Sequence, residues 1–142
     1  MRGVNFLERG KFITLEGCEG SGKTTQTRLL ASRLKKLDYD VELTKEPGGT
    51  EIGKKIRKIL LDPVNSKMDI KTEILLYAAD RAQNITENIK PALDKGKIIL
   101  SDRFVDSTYA YQSFGRNISI GKIKDINEWV IGSYRPDLTI IL

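Results

Sequence analysis

The chain predicts an α/β fold, doubly wound in three layers with helices on both faces of a central parallel sheet. Two observations carry this. Four short apolar runs have the continuous hydrophobic character of strands buried on both faces, namely Lys11–Glu16, Val41–Thr44, Lys97–Ser101 and Leu138–Leu142. Helical periodicities fill the intervals between them, and strand–helix alternation is the signature of a parallel sheet wrapped by helices.

Taken in order, Leu30, Leu34 and Leu37 mark one helix face after the first strand. Ile52, Ile56, Ile59 and Leu60 mark a second after the next strand, and Ile74 to Ala82 forms a third. Pro91 should kink or end the segment from Ile85 to Asp94, with Gly96 as the stop before the third strand. Ile123, Ile126 and Val130 mark the last helix. No repeat, linker or low-complexity stretch interrupts the pattern, so residues 1–142 read as one domain. Leu142 falls inside an apolar run that reads as an unfinished strand, where an α/β domain would go on to a loop and a covering helix. The sequence is therefore expected to be part of a longer protein, with the C-terminal part of the domain to follow.

Composition narrows the chemistry. Apolar residues make up 39% and charged residues 30%, and no apolar run approaches the ~20 residues of a membrane span. Met1 to Gly10 has no secretory h-region, and the single cysteine, Cys18, has no intramolecular partner. Both point to a cytoplasmic protein. Without histidine, imidazole acid–base chemistry and most transition-metal sites are excluded. The net charge of +5 comes from scattered lysines such as Lys35-Lys36 and Lys54-Lys55, with no basic block interleaved with aromatics. These read as solvated helix faces, so no nucleic-acid or membrane partner is expected. A mild positive field still favours small polyanions such as nucleotides.

The strongest local signal is Gly17-Cys18-Glu19-Gly20-Ser21-Gly22-Lys23-Thr24, which fits G-x-x-x-x-G-K-[ST] between a strand and a helix. Its glycines let successive backbone N–H groups turn toward a phosphate, and the helix N-terminus adds partial positive charge. Lys23 is expected to reach the β- and γ-phosphates of a nucleotide, and Thr24, followed by Thr25, to hold Mg²⁺. The fold is then of the P-loop NTPase type. Cys18 has two readings, a low-pKa thiol beside a helix N-terminus or a small apolar filler.

A second station closes the third strand, where Ile98–Ser101 runs into Asp102-Arg103-Phe104. Ligands in open α/β sheets lie beyond the carboxyl ends of the strands, so Asp102 and Arg103 should face the same crevice as the loop. There a carboxylate can organise Mg²⁺ and an arginine can grip phosphate bidentately. By itself the pair reads equally well as an ion pair capping the strand.

Five segments in sequence order together resemble one family. Phe12 to Thr25, FITLEGCEGSGKTT, is similar to the opening of bacterial thymidylate kinases, which are P-loop nucleoside monophosphate kinases. Thr44-Lys45-Glu46-Pro47-Gly48-Gly49-Thr50 resembles their T-R-E-P-G-G-T turn, with Lys45 in place of arginine. Leu76-Tyr77-Ala78-Ala79-Asp80-Arg81 resembles their thymine-binding helix, with Tyr77 where phenylalanine is usual. Asp102-Arg103-Phe104 with Ser107, Tyr111 and Gln112 resembles their D-R-[YFH] and A-Y-Q segments, and Arg135–Thr139 their R-P-D-L-T.

The resemblance implies transfer of the γ-phosphate of ATP to dTMP, with Mg²⁺, by a homodimer that pairs through helices away from the site. It implies roles as well. Lys23, Asp102 and Arg103 are the catalytic set. Tyr77 stacks on thymine and Arg81 donates to the base from the same helix face. Arg103 holds the acceptor phosphate, closed over by Glu46-Pro47-Gly48-Gly49. Glu19 approaches the 3′-hydroxyl, Tyr111 crowds the 2′ position, and Ser107 and Gln112 line the pocket. Members of the family continue into an arginine-bearing lid, a fifth strand and an adenine pocket, which are expected beyond Leu142.

Two other readings share part of this pattern. A kinase for a different nucleotide or nucleoside would use the same loop and Asp-Arg station, and a P-loop module could bind nucleotide without turnover.

Overall fold

The computed structural model describes residues 9–106 and 119–142. Four strands form one parallel sheet: β1 (Lys11–Glu16), β2 (Val41–Lys45), β3 (Ile98–Asp102) and β4 (Leu138–Ile141), in the order β2-β3-β1-β4. β1 thus lies inside the sheet between β3 and β4. Side chains of successive residues point to opposite faces, which splits the core in two. Phe12 and Ile99 face one layer with Ile85, Ile89, Leu93, Phe104 and Ile131. Leu100 faces the other with Ala31 and Val41, where Ile13, Leu30 and Leu34 pack as well. Helix α1 (Lys23–Lys35) covers this second face. The first carries α3 (Ile70–Asn84), a π-helical turn at Ile85–Ile89, α4 (Lys90–Asp94) and α5 (Ile120–Ile131). The three layers expected from sequence are present.

Three local expectations are revised. The helix continues through Pro91 instead of breaking. The π-helical turn just before it lets Lys90 N–H bond back to Ile85 O, which absorbs the ring that a regular turn would exclude. Leu37 lies past the end of α1 and is exposed. On α2 (Glu51–Leu61) the isoleucine stripe is only partly a core face: Ile56 is buried, while Ile52 and Ile59 are 49% and 45% exposed.

What matters most for function is the register. Leu15 pairs with Asp102 on β3, and Lys45 on β2 pairs with Asp102 from the other side. The carboxyl ends of β1, β3 and β2 therefore stand side by side, about 4.8 Å apart. The loops that leave them are neighbours in space, although they are far apart in sequence.

Candidate active site

The loop after β1 is built on glycine. Gly17, Gly20 and Gly22 have φ of 141°, 76° and 89°, which side-chain-bearing residues rarely adopt. Cys18, Glu19 and Gly20 are exposed on it, as is Thr25 in the first turn of the following helix. Lys23 is buried, and its Nζ donates to Cys18 O and, at 3.2 Å, to Ser21 Oγ. The ammonium is thus folded across the mouth of the loop, held by the backbone that would surround a phosphate. Thr24, the second residue of α1, donates its Oγ1 hydrogen to Asp102 Oδ2 at 2.5 Å. Two hard oxygen donors from different strands' ends meet here, a donor set suited to Mg²⁺.

Asp102 also ties the next station down, because its carbonyl accepts from Glu46 N–H at 3.1 Å. The backbone then turns sharply at Arg103, whose φ of 72° is left-handed for a residue with a side chain. Two bonds hold that conformation: Arg103 N–H donates to Leu15 O at 3.0 Å, and Ser101 Oγ donates to Arg103 O at 2.7 Å. Buried Glu16 accepts from Phe104 N–H at 2.7 Å. Strain so well supported is typical of a functional turn.

The third station is the turn after β2, residues 46–50, where the Glu46–Pro47 peptide bond is cis. Glu46 is buried and accepts from Arg81 Nε at 2.8 Å and from Asn84 Nδ2 at 3.0 Å. Burial pushes its carboxyl up to about 7, while the Arg81 charge opposes that rise. Arg81 is only 1% exposed. It also donates to Asn127 Oδ1 on α5 and to Phe104 O at 3.1 Å, and its guanidinium lies 5.2 Å from the Phe104 ring centroid. The network extends through Asn84, which accepts from Thr44 Oγ1 at 2.6 Å, to Asn88, which donates to Gly49 O at 3.0 Å. Arg81 thus braces the turn after β2, α3 and α5 together, where the sequence led one to expect a donor to the base.

Tyr77 is partly buried one helical turn before Arg81. Burial and the nearby Glu73 raise its phenol pKa, against the pull of Arg103 and Arg57. The prospective stacking ring and Arg103 therefore share one electrostatic neighbourhood. Between the loop helix and the turn lies a cavity of about 320 Å³, lined among others by Thr24, Lys45, Gly48, Gly49, Lys54 and Asp102. Ser107, Tyr111 and Gln112 lie outside the described residues. The R-P-D-L-T segment acts structurally: Asp137 accepts from Phe12 N–H at 2.7 Å and its own N–H donates to Phe12 O, registering β4 on β1.

Sequence reasoning passed over several residues. Arg57 donates to Pro47 O at 3.0 Å and sits against Gly48, adding a cation at the turn. Asn84, Asn88 and Asn127 complete the buried network. A signal for them existed: Arg81, Asn84 and Asn88 form a polar stripe at helical spacing, and Asn127 interrupts the Ile123/Ile131 face.

A parallel sheet whose first strand feeds this loop, with a Thr–Asp oxygen pair at its head and an arginine-bearing turn alongside, defines a P-loop nucleotide-binding protein. The thymidylate kinase family model matches residues 15–142, and the chain belongs to that family. It is 61% identical to the thymidylate kinase of Halothermothrix orenii, over 94% of this chain and 64% of that protein. Against the enzyme of Syntrophotalea carbinolica it is 53% identical over 92% of the chain and 61% of the relative. The crystal structure of thymidylate kinase from Ehrlichia chaffeensis superposes with a TM-score of 0.86 at 43% identity, covering 94% of this chain and 71% of that one. The chain spans just over three-fifths of the length of the two curated relatives.

Proposed function

We propose that the protein transfers the γ-phosphate of ATP to dTMP, giving ADP and dTDP. The single observation that carries this reading is the meeting, at the carboxyl ends of the adjacent strands β1 and β3, of the Lys23 loop, the Thr24–Asp102 pair and the Arg103 turn. In a chain of this family, that arrangement supports binding of a nucleoside triphosphate against a second phosphate.

The residues present fit a magnesium ion, held by Thr24 and with Asp102 orienting its shell. When bound, the ion would offset charge on the β- and γ-phosphates. Loop N–H groups of Gly17 to Thr25 surround the donor phosphates, and Lys23 leaves Cys18 O and Ser21 Oγ to reach them. The acceptor is an oxygen of the dTMP phosphate, whose second pKa of about 6 leaves it ionised at neutral pH. No general base is needed, in keeping with a chain that lacks histidine. The bond from the γ-phosphorus to its bridging oxygen breaks as the bond to the acceptor oxygen forms. The protein's work is positioning and charge stabilisation. Arg103 grips the acceptor phosphate under the Glu46–Gly49 turn, with Arg57 close by. Tyr77 stacks on thymine, Arg81 donates to the base, and Glu19 meets the 3′-hydroxyl. The resemblance adds Ser107, Tyr111 and Gln112, which lie outside the described residues, to the substrate-binding set.

A homodimer also belongs to this reading. Ile52, Ile59, Leu61 and Leu75 expose apolar surface on α2 and α3. Exposed apolar faces of this kind are where partner proteins bind.

Lys23→Ala tests the donor half of the mechanism. Turnover of ATP with dTMP should be abolished while the far-UV circular dichroism spectrum and Tm stay those of the wild type. Unchanged turnover would remove the loop from the reaction.

A further inference from the structure

Next to Arg81 on α3 lies a second buried carboxyl that the mechanism has not used. Asp80 is 1% exposed. Its Oδ1 accepts from Gly48 N–H at 2.8 Å, whereas Oδ2 is buried without a hydrogen-bond partner. The surroundings are shaped to admit it: a Cβ on Gly53 would collide with Oδ1, so α2 carries glycine where it crosses the carboxyl. Gly48 has φ of 102°, and a Cβ there would stand 2.9 Å from Arg57 Cδ. The turn is thus clamped from two sides. Asp80 takes the Gly48 amide, and Arg57 donates to the preceding carbonyl, Pro47 O, at 3.0 Å.

A buried carboxyl with one idle oxygen is a costly anchor for a single amide, and burial raises its pKa against the pull of the Gly48 N–H and the Arg81 and Arg57 charges. Apolar packing alone would be served better by a small aliphatic residue. What the carboxyl supplies is direction, a fixed acceptor that sets where Gly48 and its neighbours stand relative to Arg57 and Arg103. We infer that Asp80 is a positioning residue for the acceptor phosphate, docking the Pro47–Gly49 turn on α3 so that turn, Arg57 and Arg103 close on one anion. This role rests on the reading of the turn as the acceptor-phosphate end of the site.

The test is steady-state kinetics of the full-length protein and its D80A and D80N variants, varying dTMP and ATP separately. D80A loses the Gly48 bond, so KM for dTMP should rise about tenfold or more, with KM for ATP within about twofold of wild type. D80N keeps a carbonyl oxygen for the Gly48 amide and should recover dTMP KM to within about threefold of wild type. Hydrogen exchange at the Gly48 amide should accelerate in D80A and not in D80N. If D80A does not fold, D80S, which shortens the side chain and loses the same bond, is read in its place. A variant that folds, loses the Gly48 protection and keeps its dTMP KM overturns the positioning role. So does a variant in which both KM values and kcat worsen together, because that is the mark of a general structural defect. Wild-type protein inactive on dTMP would instead overturn the reading of the site, and this role with it.

Discussion

Replacing Arg81 with leucine should cost the fold directly. In the folded protein its guanidinium is buried and donates to Glu46, Asn127 and Phe104 O, spanning three segments of the chain. Leucine fills part of the volume but leaves Glu46 buried with only Asn84 as a donor. Removing one partner of a buried ion pair costs about 3–5 kcal/mol, because the remaining charge has lost its compensation. That is a large share of the roughly 5–15 kcal/mol that holds a domain together. The penalty should depend on pH. Glu46 already sits near 7 with Arg81 beside it, and losing the cation pushes it higher, so proton uptake relieves part of the cost in acid. Urea unfolding at pH 8 should show a loss of about 3–5 kcal/mol at unchanged m-value, shrinking at pH 5.5. In an E46Q background the same substitution should cost less, since no carboxylate is stranded. A loss below about 1 kcal/mol at pH 8, or no coupling to E46Q, would refute the view of Arg81 as an internal brace. It follows that changes in nucleotide preference in R81L must be read beside its stability.

Two further outcomes follow. Because the folded pKa of Glu46 is raised from 4.5 to about 7, its contribution to stability is fully present below about pH 4.5 and is lost as pH rises through 7. At about 1.4 kcal/mol per pH unit that gap amounts to about 3 kcal/mol, so E46Q should flatten the decline in unfolding free energy between pH 4.5 and 7.5 relative to wild type; parallel curves would contradict the assignment. Sedimentation at micromolar concentration should show a dimer, and I52K combined with I59K should shift it to monomer; a strictly monomeric wild type would remove the dimer proposal.

The parts of this molecule legible in the sequence are those written locally. β1 matches its expected bounds, and the other three strands differ by a residue or so at their ends, because a parallel strand buried on both faces is apolar without interruption. The Lys23 loop was readable because its glycine spacing is dictated by the backbone turn itself. That Asp102 would stand opposite Leu15 needed pairing information that no single strand carries. The continuity of the helix through Pro91 was hidden because the π-helical turn depends on tertiary packing of Ile85 and Ile89. Arg81 was expected to face a base from α3, but what buries it, Asn127, 46 residues away, and Phe104 O, is not written in its own helix. Arg57 and Asp80 were missed for the same reason, since each gains its role only when the turn after β2 folds onto α2 and α3.

The central claim is that the crevice accepts thymidine monophosphate and gives it the γ-phosphate of ATP. It is tested most directly by initial rates of ADP formation with ATP–Mg²⁺ and dTMP, dUMP, dCMP or UMP in turn. Arg81 can only donate, so it suits O4 of thymine and opposes the amino group of cytosine. Space for the 5-methyl group is worth only about 1–3 kcal/mol. The account predicts dTMP first, dUMP behind it by about ten- to hundredfold in kcat/KM, and dCMP and UMP far below. Comparable rates with dCMP or UMP would contradict it and leave a nucleotide kinase of another specificity.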